Sequence, residues 1–67
     1  MRRYWLWKVV VENIYAGEED EFYIIAKDLT SAAKKAIKVC KETTWHSFIS
    51  EDDLRVVSVR LLGEVWI

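Results

Sequence analysis

Residues 3 to 12 are aromatic and β-branched with no helical periodicity, which predicts a strand. Its odd positions Trp5, Trp7, Val9 and Val11 form one face. Its even positions Tyr4, Leu6, Lys8, Val10 and Glu12 form the other. Large apolar groups on both faces mark a central strand covered on two sides. Residues 13 to 20, with Gly17 and the start of an acidic run, read as a hairpin connection. A second strand follows over residues 21 to 27. Phe22, Ile24 and Ala26 point toward a helix, and Glu21, Tyr23, Ile25 and Lys27 point away.

Asp28 is a good N-cap for a helix running to about Glu42. Leu29, Ala33, Ala36, Ile37 and Cys40 recur at helical spacing and predict its buried stripe. Lys34, Lys35, Lys38 and Lys41 fall on the outer side, and the later lysines suit the negative end of the helix dipole. Residues 43 to 53 read as a connection whose Trp45, His46, Phe48 and Ile49 are too apolar for free solution, so they are expected to fold back on the core edge. Residues 54 to 67 make a last strand. Fully extended at about 3.3 Å per residue, it would exceed about 40 Å, so it should bend, split, or reach another subunit. Gly63 marks a candidate bulge.

The element order is therefore β-β-α-β. A right-handed crossover through the helix places the last strand beside the first. The expected fold is an α+β domain over residues 1–67, an antiparallel sheet of order 2-1-3 with one helix on one face. A chain of 67 residues forms one domain. At this size folding buries only about 60% of the unfolded surface. Small domains recover stability from disulfides, metals or oligomerisation. Cys40 is the only cysteine and His46 the only histidine, so neither an intrachain disulfide nor a zinc ligand set is expected. The 52% hydrophobic content then favours oligomerisation.

Charge narrows the classes further. Ten basic and eleven acidic residues leave a formal net charge of −1. No global field draws the chain to nucleic acid or an anionic membrane. No apolar run approaches a membrane span. The N-terminal apolar stretch is cut by Lys8 and lacks a small-residue cleavage site, so no signal peptide is expected. A free thiol without an export signal fits the cytoplasm.

Four groups of residues could carry chemistry. Lys34, Lys35, Lys38 and Lys41 could follow a phosphate backbone, although lysine is also the ordinary choice for an outer helix face. Tyr4, Trp5, Trp7, Tyr23 and Trp66, with Arg2, Arg3, Lys8, Arg55 and Arg60 nearby, could stack unpaired bases. Tyrosine and tryptophan are equally the favoured anchors of protein interfaces, and that reading outweighs base stacking at this net charge. The acidic groups Glu18, Glu19, Asp20, Glu21 and Glu51, Asp52, Asp53 lack the spacing of a calcium loop and read as solubilised turns. Cys40 lies on the buried stripe, where a thiol is an inert hydrophobe, and His46 has no orienting partner. No Gly-rich phosphate loop, nucleophile triad or catalytic carboxylate pair is visible, so no enzyme, cofactor or metal is expected.

The passage Phe-Tyr-Ile-Ile-Ala-Lys-Asp-Leu-Thr-Ser-Ala-Ala-Lys-Lys-Ala over residues 22–36 resembles the strand-to-helix passage of small phage and prophage proteins. Residues 56–67, with their Leu-Leu-Gly-Glu-Val-Trp-Ile ending, resemble the last strand of those proteins. Some small anti-CRISPR proteins are similar in the first passage. The resemblance covers about half the chain, and packing an Ala-rich helix on a strand demands the same pattern. It implies a phage-type binding protein and transfers no functional residue, because that family is defined by its partner.

The expected function is a non-enzymatic protein-binding module that self-associates as a homodimer, a phage-type regulator or inhibitor with a host protein as a further partner. Its interface would contain Tyr4, Leu6, Val10, Tyr23, Ile25, Val56, Leu62 and Trp66. With the last strand shifted by one residue, Val57, Val59 and Leu61 would replace its members. The alternative is a nucleic-acid-binding protein using the helix lysines or the Arg and aromatic sheet face.

Overall fold

The computed structural model describes residues 2–43 and 51–67. Strand β1 (Arg3–Asn13) is followed by β2 (Glu18–Ala26), helix α1 (Leu29–Thr43), a short 3-10 turn (Glu51–Asp53) and β3 (Leu54–Trp66). The sheet is antiparallel with order β2-β1-β3. The fold is thus α+β with β-β-α-β order. The expected placements of Trp45, His46, Phe48 and Ile49 lie outside the described residues.

The hairpin is tighter than its composition predicts. Only Ile14, Tyr15, Ala16 and Gly17 form the turn, and Glu18 already pairs with Asn13. Asn13 is responsible. Its buried side-chain oxygen accepts the Ala16 N–H at 3.1 Å, and its carbonyl accepts the Gly17 N–H at 2.8 Å. Gly17 takes φ 68°, which glycine adopts without a Cβ penalty. Glu18, Glu19 and Asp20 therefore belong to β2 rather than to the connection. Carboxylates on an edge strand discourage pairing with another chain.

Helix α1 starts where Asp28 caps it, its Oδ1 accepting the Ser31 N–H at 2.7 Å. That bond, with the Ser31 hydroxyl next in weight, holds the Asp28 carboxyl below its ordinary range. A carboxyl depressed in the folded state stabilises above its unfolded pKa and loses that contribution as pH falls. The thermal midpoints of wild type and Asp28→Asn are therefore expected to converge on acidification through the carboxylate range. A difference that stays constant with pH would rule the carboxylate out as the cap.

The buried stripe of the helix is Ala32, Ala36 and Cys40. Ala36 and Cys40 belong to the expected stripe; Ala32 does not, while Leu29 is 52% exposed and Ala33 and Ile37 are only half-buried. Spacing by four puts the three small side chains in line, so the helix backbone can lie close to the sheet. Beneath them lie Val9 and Val11 of β1, Ile24 and Ala26 of β2, and Leu54 of β3. Trp7, Phe22, Ile37, Val39, Val56 and Val59 pack around this centre.

The thirteen residues of β3 face the eleven of β1, and two bulges absorb the difference. Val10 pairs with Ser58 but Val11 with Val56, so Val57 is extra. Trp7 pairs with Leu61 but Leu6 with Gly63, so Leu62 is extra. Gly63 flanks the second bulge. Each bulge moves the side-chain alternation by one residue. Beyond Ala26, where β2 ends opposite Trp5, the β1–β3 pair continues alone to the Arg2 and Ile67 backbone bonds. The molecule is accordingly elongated, 40 × 18 × 16 Å. Its radius of gyration is 12.4 Å, against about 11 Å for a compact domain of this length.

Candidate functional site

Helix α1 covers one face of the sheet. On the opposite face the described residues provide no second layer. Pairing across the strands places five expected interface residues there together: Tyr4, Leu6 and Val10 of β1, and Tyr23 and Ile25 of β2. Leu6 stands opposite Ile25, and Lys8 opposite Tyr23. Tyr23 is 63% exposed and Ile25 40%, although both are large. Tyr4, Leu6 and Val10 are half-buried by their neighbours.

Strand β3 contributes differently from expectation. Val56 pairs with Val11 and packs against the core, so it lies on the helix side. Trp66 pairs with Arg3 and also lies on that side. Leu62 is a bulge residue, 44% exposed. The shifted set fares no better: Val57 is the other bulge, and Val59 and Leu61 pair with Val9 and Trp7 on the helix side. No single register holds along β3, because two bulges break its alternation. Val65, opposite Tyr4, is the apolar residue that β3 does present to the open face, and the sequence reading missed it. Gly63 signalled one bulge, but nothing in Val56-Val57-Ser58-Val59 signalled the other.

The centre of the open face is basic. Lys8 stands directly opposite Arg60, an arrangement unfavourable between neighbouring strands. Lys8 is relieved by Glu21 at 3.3 Å. Arg60 has no ion-pair partner among the described residues. Lower on the face, Arg55 pairs with Glu12. At the other end, the Lys27 ammonium lies 5.9 Å from the Tyr4 ring. The face therefore grades from apolar at Tyr4, Leu6, Ile25 and Val65, through basic at Lys8 and Arg60, to acidic at Glu21 and Glu12.

On the helix side, the overhanging end holds Arg3 between two indoles, 5.1 Å from the Trp5 ring and 5.9 Å from Trp66. Glu64 lies 3.5 Å from its guanidinium. The aromatic residues expected on one sheet surface are thus divided. Tyr4 and Tyr23 lie on the open face, and Trp5, Trp7 and Trp66 on the other.

The helix lysines are also divided. Lys35 reaches over β2 and donates to the Ile25 carbonyl at 3.0 Å. Lys34, Lys38 and Lys41 line a groove on the β3 side, with Ala33, Ile37 and Val56.

Cys40 is buried, and burial, with the Asp20 carboxylate second, pushes its thiol above the ordinary range. A protonated, covered thiol is a poor nucleophile. Alkylation of native protein at neutral pH is expected to be slow and to rise sharply in urea, read by intact mass. Rapid modification of the folded protein would contradict this placement. His46, the other member of that pair, lies outside the described residues. Among the described residues, no group of His, Cys, Asp or Glu side chains could hold a metal ion. No helix among them is long and apolar enough to cross a membrane. No protein-family model, curated protein or solved structure matches this chain.

Proposed function

We propose that this chain is a non-enzymatic protein-binding module that self-associates as a dimer through the open face of its sheet. The carrying observation is the apolar group of Tyr4, Leu6, Tyr23, Ile25 and Val65 on a face that the helix does not cover. Exposed apolar patches rimmed by polar residues mark interaction sites. Burying one sheet face against its copy would supply stability that a 67-residue domain lacks alone.

Light scattering during size exclusion, over a dilution series, tests the proposal. A dimer mass that falls only at high dilution agrees with it; a monomer at high concentration rejects it. Action on a host protein, as a cytoplasmic phage-type regulator or inhibitor, belongs to the same proposal and rests only on the resemblance of residues 22–36 and 56–67.

One observation favours a second reading. Tyr23, Lys8 and Arg60 form a row across the open face, an aromatic platform beside two cations. Such a row suits a single-stranded nucleic acid, with bases on tyrosine and phosphates on the cations. Binding of this kind weakens steeply with salt and is lost in Lys8→Glu with Arg60→Glu. Absence of binding to single-stranded DNA and RNA at low salt removes this reading.

A further inference from the structure

We propose that the groove between α1 and β3 is a second docking site, and that its occupant is an acidic amphipathic helix of a partner protein. The groove is open to solvent and has a volume of about 720 Å³. Its apolar floor is Ala33 and Ile37 of α1 and Val56 of β3. Its rim is Lys34, Lys38 and Lys41.

The charge pattern selects the occupant. Residues three and four apart on a helix share one side, so 34, 38 and 41 form a single row. At 1.5 Å per residue the row is about 10 Å long. All three lysines are exposed, and none makes a hydrogen bond or ion pair with a described residue. Lys35, which is tied to the Ile25 carbonyl, stands outside the row. A ligand with one anionic head would engage only part of such a row. A helix carrying carboxylates at the same spacing of four and three matches its whole length, because both helices have the same rise. The floor adds the apolar half of the match. Ala33 is small enough for close helix approach, and Ile37 and Val56 offer the apolar contact that helix-in-groove recognition uses. Glu42, next to Lys41 in the chain, also lines the groove and gives the match a polarity, since the partner helix must place a neutral or basic residue there. A nucleic-acid strand would use the lysines but leave the aliphatic floor idle, as Ala33, Ile37 and Val56 give no base a ring to stack on.

This site lies on the helix side and does not depend on the open-face dimer, so the two proposals fail separately: light scattering reads one, peptide binding the other. The test uses a fluorescent peptide of about 18 residues, long enough to form a partial helix alone. It carries Glu at positions i, i+4 and i+7 beside a leucine stripe. A second peptide has Gln at those positions, and a third has Lys. Fluorescence polarisation against the full chain at low salt is expected to show the Glu peptide binding about tenfold more tightly than the Gln peptide, as three exposed ion pairs allow. The variant Lys34→Glu, Lys38→Glu, Lys41→Glu should lose the Glu peptide by at least the same factor and gain the Lys peptide. These positions are exposed, so an unchanged circular dichroism spectrum verifies the fold. Equal binding of the Glu and Gln peptides, no binding of the Glu peptide, or no exchange of preference in the reversed variant overturns the proposal. So does an oligothymidine that binds the same lysines more tightly than the Glu peptide at equal salt.

Discussion

Replacing Ala32 with leucine is expected to destabilise the domain by about 1–3 kcal/mol, the usual cost of forcing extra carbons into a packed core. Ala32 and Ala36 have no exposed surface and sit over Val9 and Val11, which have none either. A leucine there must lift the helix from the sheet or take an off-rotamer shape. Native stability is about 0.05–0.15 kcal/mol per residue, so this loss is a large share of the total for a chain of this size. With a urea slope of about 1 kcal/mol/M, the unfolding midpoint should fall by about 1–3 M. Ala33→Leu is the control. Ala33 is half-buried on the open groove floor, where a larger side chain has room, and its replacement should change stability by no more than about 0.5 kcal/mol. Helical spacing alone assigned the buried role to Ala33, so the pair of variants separates the two placements. Equal effects from both would contradict the burial of Ala32 against the sheet.

Tyr23→Glu is expected to convert a dimer into a monomer at concentrations where the wild type stays associated. Tyr23 projects from the open face of an edge strand and is 63% exposed, so the monomer gives up little packing when it changes. Lys8 stands opposite, so the new carboxylate has a cation beside it and costs the isolated subunit little. Within a dimer, the same carboxylate would be enclosed against the apolar face of the other copy. Loss of a central aromatic anchor typically costs about 2 kcal/mol or more, which is about 30-fold in the dissociation constant. Trp66→Gln is the informative control. Sequence alternation placed Trp66 on the interface, but its pairing with Arg3 sets it on the helix side. An open-face dimer should tolerate that change. Loss of the dimer in Trp66→Gln, with Tyr23→Glu unaffected, would move the contact to the overhanging end around Arg3, Trp5 and Trp66.

Much of the fold was legible because it depends on local chemistry. The two apolar faces of residues 3 to 12 announced a central strand, and Asp28 announced the start of the helix. Topology followed from element order and crossover handedness. The candidate site was legible only on β1 and β2, where strict alternation carries Tyr4, Leu6, Val10, Tyr23 and Ile25 to one face. On β3 the same rule failed for Val56, Leu62 and Trp66. Gly63 signalled one of the two bulges; the other, at Val57, is chosen by how two strands of unequal length pair, which neither strand alone encodes.

The sequence by itself determined which segments are strand and helix, their order, and the presence of more apolar surface than one helix can cover. Alternation, capping and composition act over a few residues, so the chain carries them wherever it folds. Only the tertiary structure decided that the hairpin closes at Asn13 and Gly17, that Ala32 rather than Ala33 meets the sheet, and that Lys35 leaves the row of Lys34, Lys38 and Lys41. It also decided which aromatics share a face. Each of these depends on the distance between elements remote in the chain, where close packing and hydrogen-bond pairing select one arrangement among several that the local pattern permits.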